Sequence, residues 1–136
     1  MSEPICEFKS NNELQKCLEE WKKRLFLDDW IIKVVRVSRV DMPNNLGLNE
    51  FQVENKCAVI RLIEADEDVK SRIAKYCEEK TLVHELLHCK YNYIANSDSY
   101  EGKFLDVSEH ALLEQMAKSL IMAKYGVTFE WFRNFE

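Results

Sequence analysis

Residues Thr81 to Tyr91 read TLVHELLHCKY, with His84 and His88 four apart and Glu85 directly after the first. From this composition a His-Glu-x-x-His string is expected by chance about 0.01 times, and it holds two of the three histidines. On a helix, residues four apart differ by about 40° around the axis, so both imidazoles face the same way. They can converge on one cation, and Zn2+ takes histidine nitrogen at about 2.0–2.1 Å. Glu85 lies about 100° round the helix. That is too far for a ligand on the same helix but within reach of a water on the metal. The alternative is a packed helix with two polar residues at its rim. A lone histidine would favour that alternative; the pair with its glutamate favours a metal site.

A catalytic zinc wants three protein ligands and one open position. The segment SEHALLEQMAKSL supplies three candidates for the third. Leu112, Leu113, Met116, Ala117 and Leu120 are the predicted buried stripe of its helix. Glu114 sits at the flank of that stripe and leads. Glu109 comes next, at a helical first turn where a carboxylate also suits capping. His110, one turn before Glu114 on the same side, comes last. Without a metal, Glu114 would be an exposed carboxylate paired with Lys118 at i+4. Cys89 projects about 100° from His88 and reads as a buried free thiol rather than a ligand.

The elements that must position these residues form an α+β order. Asn12 to about Leu27 keeps helical spacing through Leu14, Cys17 or Leu18, Trp21 and Leu25, with Asn11 or Asn12 as the cap. Trp30 to Val37, rich in β-branched residues, predicts a strand. Pro43, Asn44, Asn45 and Gly47 mark a loop. Phe51–Glu54 and Cys57–Ile63 predict two further strands joined by a turn at Asn55-Lys56. Helical sequence then runs from about Val69 to Asn92, with an interruption allowed. The segment ANSDSYEGK, Ala95 to Lys103, predicts a loop. A last long helix is expected from Val107 to Tyr125, with Asp106 and Glu109 as a capping box and Gly126 as the stop. The aromatic tail, VTFEWFRNFE, is expected to fold back on the body.

At 136 residues the chain reads as one domain, residues 1–136, large enough for a core without staples. The net charge of -5 argues against a nucleic-acid surface, which needs clustered Lys and Arg. The one basic run, Lys22-Lys23-Arg24, shares its helix with Glu19 and Glu20 and reads as a solvated face. No apolar run approaches a membrane span, and no secretory signal is visible. The five cysteines show no C-x-x-C pair and read as reduced thiols, so a cytoplasmic location is expected.

HELLH is followed, 26 residues after His88 (88 to 114), by Glu114 in a helix of the form E-x-x-A-x-x-L. On these residues the chain resembles a minimal gluzincin, an HExxH zinc metallopeptidase. It is most similar to small phage and prophage metallopeptidases and, more distantly, to ImmA/IrrE-type proteins. The resemblance implies a zincin-like fold: an N-terminal helix, a small mainly antiparallel sheet, the HExxH helix and a second metal-site helix. It implies Zn2+ held by His84, His88 and Glu114, with Glu85 as general base. It also implies that Cys57–Ile63 is the edge strand beside the cleft, where an extended peptide or protein substrate adds by β-augmentation. SprT-like proteins share the helix–hairpin–HExxH order but use a histidine as third ligand. Only His110 could take that part here, and the surrounding HG pattern is absent.

The implied mechanism is peptide-bond hydrolysis by a zinc-activated water, with Glu85 taking its proton and passing it to the leaving amine. The oxyanion then needs a donor besides zinc. The candidates are His110, Tyr91, Tyr93 and Tyr100, and position singles out none. Tyr100, in the predicted loop, is the best placed for a mobile element. The competing function is a non-catalytic zinc-binding module that keeps the fold to regulate or bind a partner. The intact Glu85 favours the enzyme, because zinc binding alone does not need that carboxylate.

Overall fold

The computed structural model describes residues 3–71, 75–95, 100–133 and 135; for residues 67, 92–95 and 100–108 only the backbone is described. Helix α1 spans Asn11–Arg24. Its N-cap is Ser10, not Asn11 or Asn12: the Ser10 hydroxyl accepts from Glu13 N–H at 3.2 Å on extended backbone. Leu14, Cys17, Leu18 and Trp21 form its buried stripe. The helix stops before Leu27 because Phe26 turns into the left-handed region, with φ 57°.

Strands β1 (Ile31–Val37), β2 (Gly47–Gln52) and β3 (Cys57–Ile63) form one sheet in the order β1-β3-β2. The turn at Val53–Lys56, with Lys56 at φ 49°, returns β2 antiparallel onto β3, so Val53 and Glu54 leave the strand predicted for them. The pairing with β3 recruits Gly47–Glu50, read from sequence as loop, into β2. The 38–46 connection lets β1 take the other side of β3, where it runs parallel from Ile31↔Cys57 to Val37↔Ile63. Two expectations are therefore corrected. The sheet is mixed rather than mainly antiparallel. Cys57–Ile63 is the central strand, and with a partner on each side it has no edge to offer a peptide; β2 and β1 are the edges.

The helical sequence after β3 splits into α2 (Glu67–Ser71) and α3 (Glu78–Ala95). Helix α4 spans Tyr100–Tyr125, and α5 is the short turn Phe129–Phe132. Because α4 begins at Tyr100, Asp106 and Glu109 are interior residues and the expected capping box does not exist. The Ala95–Lys103 loop likewise shrinks, Ala95 closing α3 and Tyr100 opening α4; residues 96–99 lie outside the described residues. Gly126, at φ 71°, ends α4 as expected, its N–H meeting Met122 O at 2.8 Å. The tail also packs back: Phe132 is buried and Trp131 stacks on Phe135.

The buried row of α4 is Leu113, Ala117, Ile121 and Tyr125, an i,i+4 ridge. Leu112 and Met116, expected in the stripe, are 40% and 38% exposed. Glu109 heads the buried row and is itself buried. Helix α3 lies inside the molecule, with the sheet on one side and α1 and α4 on the others. Leu82, Val83, Leu86, Leu87 and Cys89 are all buried, so apolar surface extends around most of the helix.

Two adjacent buried glutamates fix the start of α3. Glu79 accepts from Ile5 N–H (2.8 Å), Trp21 Nε1 (2.7 Å), Lys124 Nζ (2.8 Å) and Tyr125 OH (2.6 Å). Glu78 accepts from Phe8 N–H and two nitrogens of Arg36. In return the backbone N–H groups of Glu78 and Glu79 donate to Cys6 O and Ile5 O, both at 3.0 Å. The N-terminal strand of chain thus satisfies donors that a helix start leaves open. No helix among the described residues is long and apolar enough to cross a membrane.

Candidate metal centre

Helix α3 presents His84 and His88 on the side that meets α4, and α4 brings His110 to them. Their ring centroids lie 5.1 Å apart for His84–His88, 5.7 Å for His84–His110 and 4.7 Å for His88–His110. One ring nitrogen from each falls within 4.8 Å of the other two. His84 Nε2 and His110 Nδ1 are 3.5 Å apart. Two nitrogens each about 2.0–2.1 Å from one tetrahedral zinc sit at close to that separation. The donor set fits a metal ion: three imidazoles, with His88 buried, His84 partly buried and His110 exposed.

The carboxylates stand behind the rings. Glu114 Oε2 is 2.7 Å from His84 Nδ1, and Glu109 Oε1 is 3.3 Å from His88 Nδ1. With the proton on Nδ1, each ring donates backwards to its carboxylate and keeps Nε2 as a lone-pair donor, the arrangement common behind metal-bound histidines. Glu114, the leading third ligand from sequence, is thus brought to the far nitrogen of His84, while His110, ranked last, is brought into the nitrogen cluster. Glu109 is not at the capping position expected of it; its carboxylate meets His88.

Lys80 completes this chain of contacts. It lies one turn before His84, so 80, 84 and 88 share a face, and its ammonium pairs with Glu114 Oε1. Burial would push the Glu114 carboxyl up, but the His84 hydrogen bond and the Lys80 charge outweigh it and hold it at about 2. Burial, with the neighbouring His84 and His110, lowers His88 to about 4, so its ring stays neutral and ready to coordinate.

Glu85 is buried at 7% exposure and lines a cleft of about 410 Å3 together with His84, His110, Glu114 and Lys80. Burial raises its carboxyl to about 7, with His84 pulling down and Glu114 pushing up. The far wall of the cleft is Asn44–Gly47, where β2 begins. Gly47 allows this approach: a Cβ there would stand 2.7 Å from Thr81 Cγ2 and 3.1 Å from Glu85 Oε2. Asn49, two residues on, donates to Glu85 O at 2.7 Å and to Cys89 Sγ at 3.3 Å, tying β2 to α3. The Cys89 thiol is buried and pushed up to about 11, as a packed thiol and not a ligand.

Of the expected oxyanion donors, His110 joins the nitrogen cluster, and the side chains of Tyr93 and Tyr100 lie outside the described residues. Tyr91 is partly buried against the main core. Sequence patterning singles out neither Lys80 nor Asn49, and reads Gly47 only as a loop marker. Only Lys80 had a local signal, its four-residue step before His84. Comparison of the chain with protein-family models, with curated proteins and with solved structures finds no match.

Proposed function

We propose that the chain is a zinc-dependent metallopeptidase of zincin-like fold, with His84, His88 and His110 as the ligands and Glu85 as general base. The observation that carries this reading is the convergence of three histidine nitrogens within 4.8 Å at a cleft that also holds the Glu85 carboxyl. Three imidazoles suit zinc better than the oxygen-loving cations, and they leave a position open for water and substrate. Bound there, zinc would supply Lewis acidity toward a scissile carbonyl and activate a water near neutral pH.

The protein's own groups then have distinct tasks. Glu85, with a proton affinity near neutrality, accepts a proton from the attacking water and returns it to the leaving amine. Glu114 and Glu109 hold His84 and His88 in the tautomer and orientation that coordination needs. Lys80 keeps Glu114 ionised and in place. The strand that offers its edge beside the cleft is β2, so an extended peptide would add along Gly47–Gln52.

The test is elemental analysis of protein purified without chelator, combined with cleavage of an unfolded protein substrate. About one equivalent of zinc and chelator-sensitive cleavage are expected. Protein that binds zinc but cuts nothing would favour a regulatory zinc module, and protein that refuses zinc would end both readings.

A further inference from the structure

A second reactive feature lies away from the histidines. Cys6, half-buried in the N-terminal segment, and Cys77, buried just before α3, are 71 positions apart in sequence (77 minus 6), yet Cys6 O accepts from the N–H of Glu78, the residue directly after Cys77. Cys77 Sγ also lies 3.7 Å from Ile5 O. The two backbones are cross-tied on both sides: Glu78 N–H to Cys6 O, Glu79 N–H to Ile5 O, Ile5 N–H to Glu79 and Phe8 N–H to Glu78. Cysteines on backbones held this close need little movement to reach disulfide geometry.

Access and reactivity differ between the two. Cys6 lines a cavity of about 470 Å3 walled by Lys75, Tyr76, Trp131 and Phe135, whereas Cys77 is fully buried behind it. The neighbouring Cys77 lowers the Cys6 thiol against the opposing effect of burial, and Lys75 adds to the lowering. Cys6, together with burial, pushes Cys77 up. An accessible thiol disposed to ionise, backed by a sheltered second thiol, is the arrangement of an attacking and a resolving cysteine.

We propose that Cys6 and Cys77 are a peroxide-oxidised pair that closes as a disulfide between the N-terminal segment and the start of α3. The Cys6 thiolate attacks one oxygen of hydrogen peroxide, the O–O bond breaks, and after protonation the products are Cys6 sulfenic acid and water. Cys77 sulfur then displaces the sulfenic oxygen as a second water, forming the S–S bond, so two thiols and one peroxide give one disulfide and two waters. The bond clamps the segment that caps α3, the helix of His84 and His88, and does not depend on a metal being bound.

The experiment treats the full chain with hydrogen peroxide and counts thiols after denaturation. Loss of two of the five thiols, a mass decrease of about 2 Da and a Cys6–Cys77 linked peptide are expected. Thermal unfolding should shift up by roughly 5–10 °C and return on reduction. Cys77→Ser should stop at a Cys6 sulfenic acid trapped by a 1,3-diketone, and Cys6→Ser, at the half-buried position, should abolish both the linked peptide and the shift. Five surviving thiols, linkage through a different cysteine, or Cys6 driven to sulfinic acid with Cys77 still reduced would each overturn the proposal.

Discussion

Glu114 Oε2 meets His84 Nδ1 at 2.7 Å, on the side of the ring away from His110. The carboxylate therefore grips the imidazole from behind, and the imidazole presents Nε2 to the cluster. Glu109 Oε1 lies 3.3 Å from His88 Nδ1, so α4 brings two carboxylates, Glu109 and Glu114, to the two histidines of α3, with His110 among them. This division of labour makes distinct demands on variants of the two residue types.

His110→Ala should lose far more zinc affinity than Glu114→Gln, for which a loss of roughly 10–100-fold is expected. Competition with a chromophoric chelator measures both. Glu114→Ala losing as much affinity as His84→Ala would make Glu114 a ligand and displace His110.

Lys80→Met should weaken zinc binding in the same direction as Glu114→Gln, because the ammonium holds the carboxylate that holds His84. The two changes should be non-additive in a double-mutant cycle, as expected for members of one network. Full additivity would separate Lys80 from the chain of contacts.

Glu85→Gln should keep one equivalent of zinc and lose roughly 100-fold or more in peptide cleavage, the scale of a positioned general base. Elemental analysis and a turnover assay on the same preparation check it. Unchanged turnover would remove Glu85 from the reaction.

Gly47→Ala should destabilise the protein by roughly 1–3 kcal/mol, since the added methyl meets Thr81 Cγ2 at 2.7 Å in a packed wall. Urea unfolding measures the change. The same methyl presses on Glu85 Oε2, so cleavage should fall further than stability alone explains.

Glu79 sets an acid limit on the fold. Burial pushes its carboxyl up, but donors from Lys124, Tyr125, Ile5 and Trp21 prevail and the carboxyl ends below its ordinary value of 4.5. A carboxylate lowered in the folded state contributes stability at pH above 4.5 and loses it as pH falls through the folded value. Unfolding free energy measured from pH 7 to 3 should therefore fall on the acid side, and Glu79→Gln should flatten that limb. At neutral pH, Glu79→Ala should cost about 3–5 kcal/mol, because Lys124, Trp21 and Tyr125 are left facing an empty acceptor site.

The parts of the site within one helical turn were legible in the residues. The His84–Glu85–His88 spacing, the first helix around Trp21, the strands at Ile31 and Cys57 and the Gly126 stop all rest on local periodicity or local backbone preference. The misreadings share a different cause. Strand order depends on which side of β3 the 38–46 connection delivers β1, and no residue in β3 records that. Asp106 imitates a cap and so points to a start of α4 at Val107, while the helix runs back to Tyr100 and turns Glu109 into an interior residue.

Sequence alone determined that two imidazoles and a carboxylate share one helix, because a 3.6-residue repeat converts spacing directly into direction. Only the tertiary structure decided what meets them. The docking of α4 by its Leu113–Ala117–Ile121 ridge sets which of Glu109, His110 and Glu114 joins the cluster of ring nitrogens and which meets the Nδ1 of a histidine on α3, and that depends on long-range packing no short window contains.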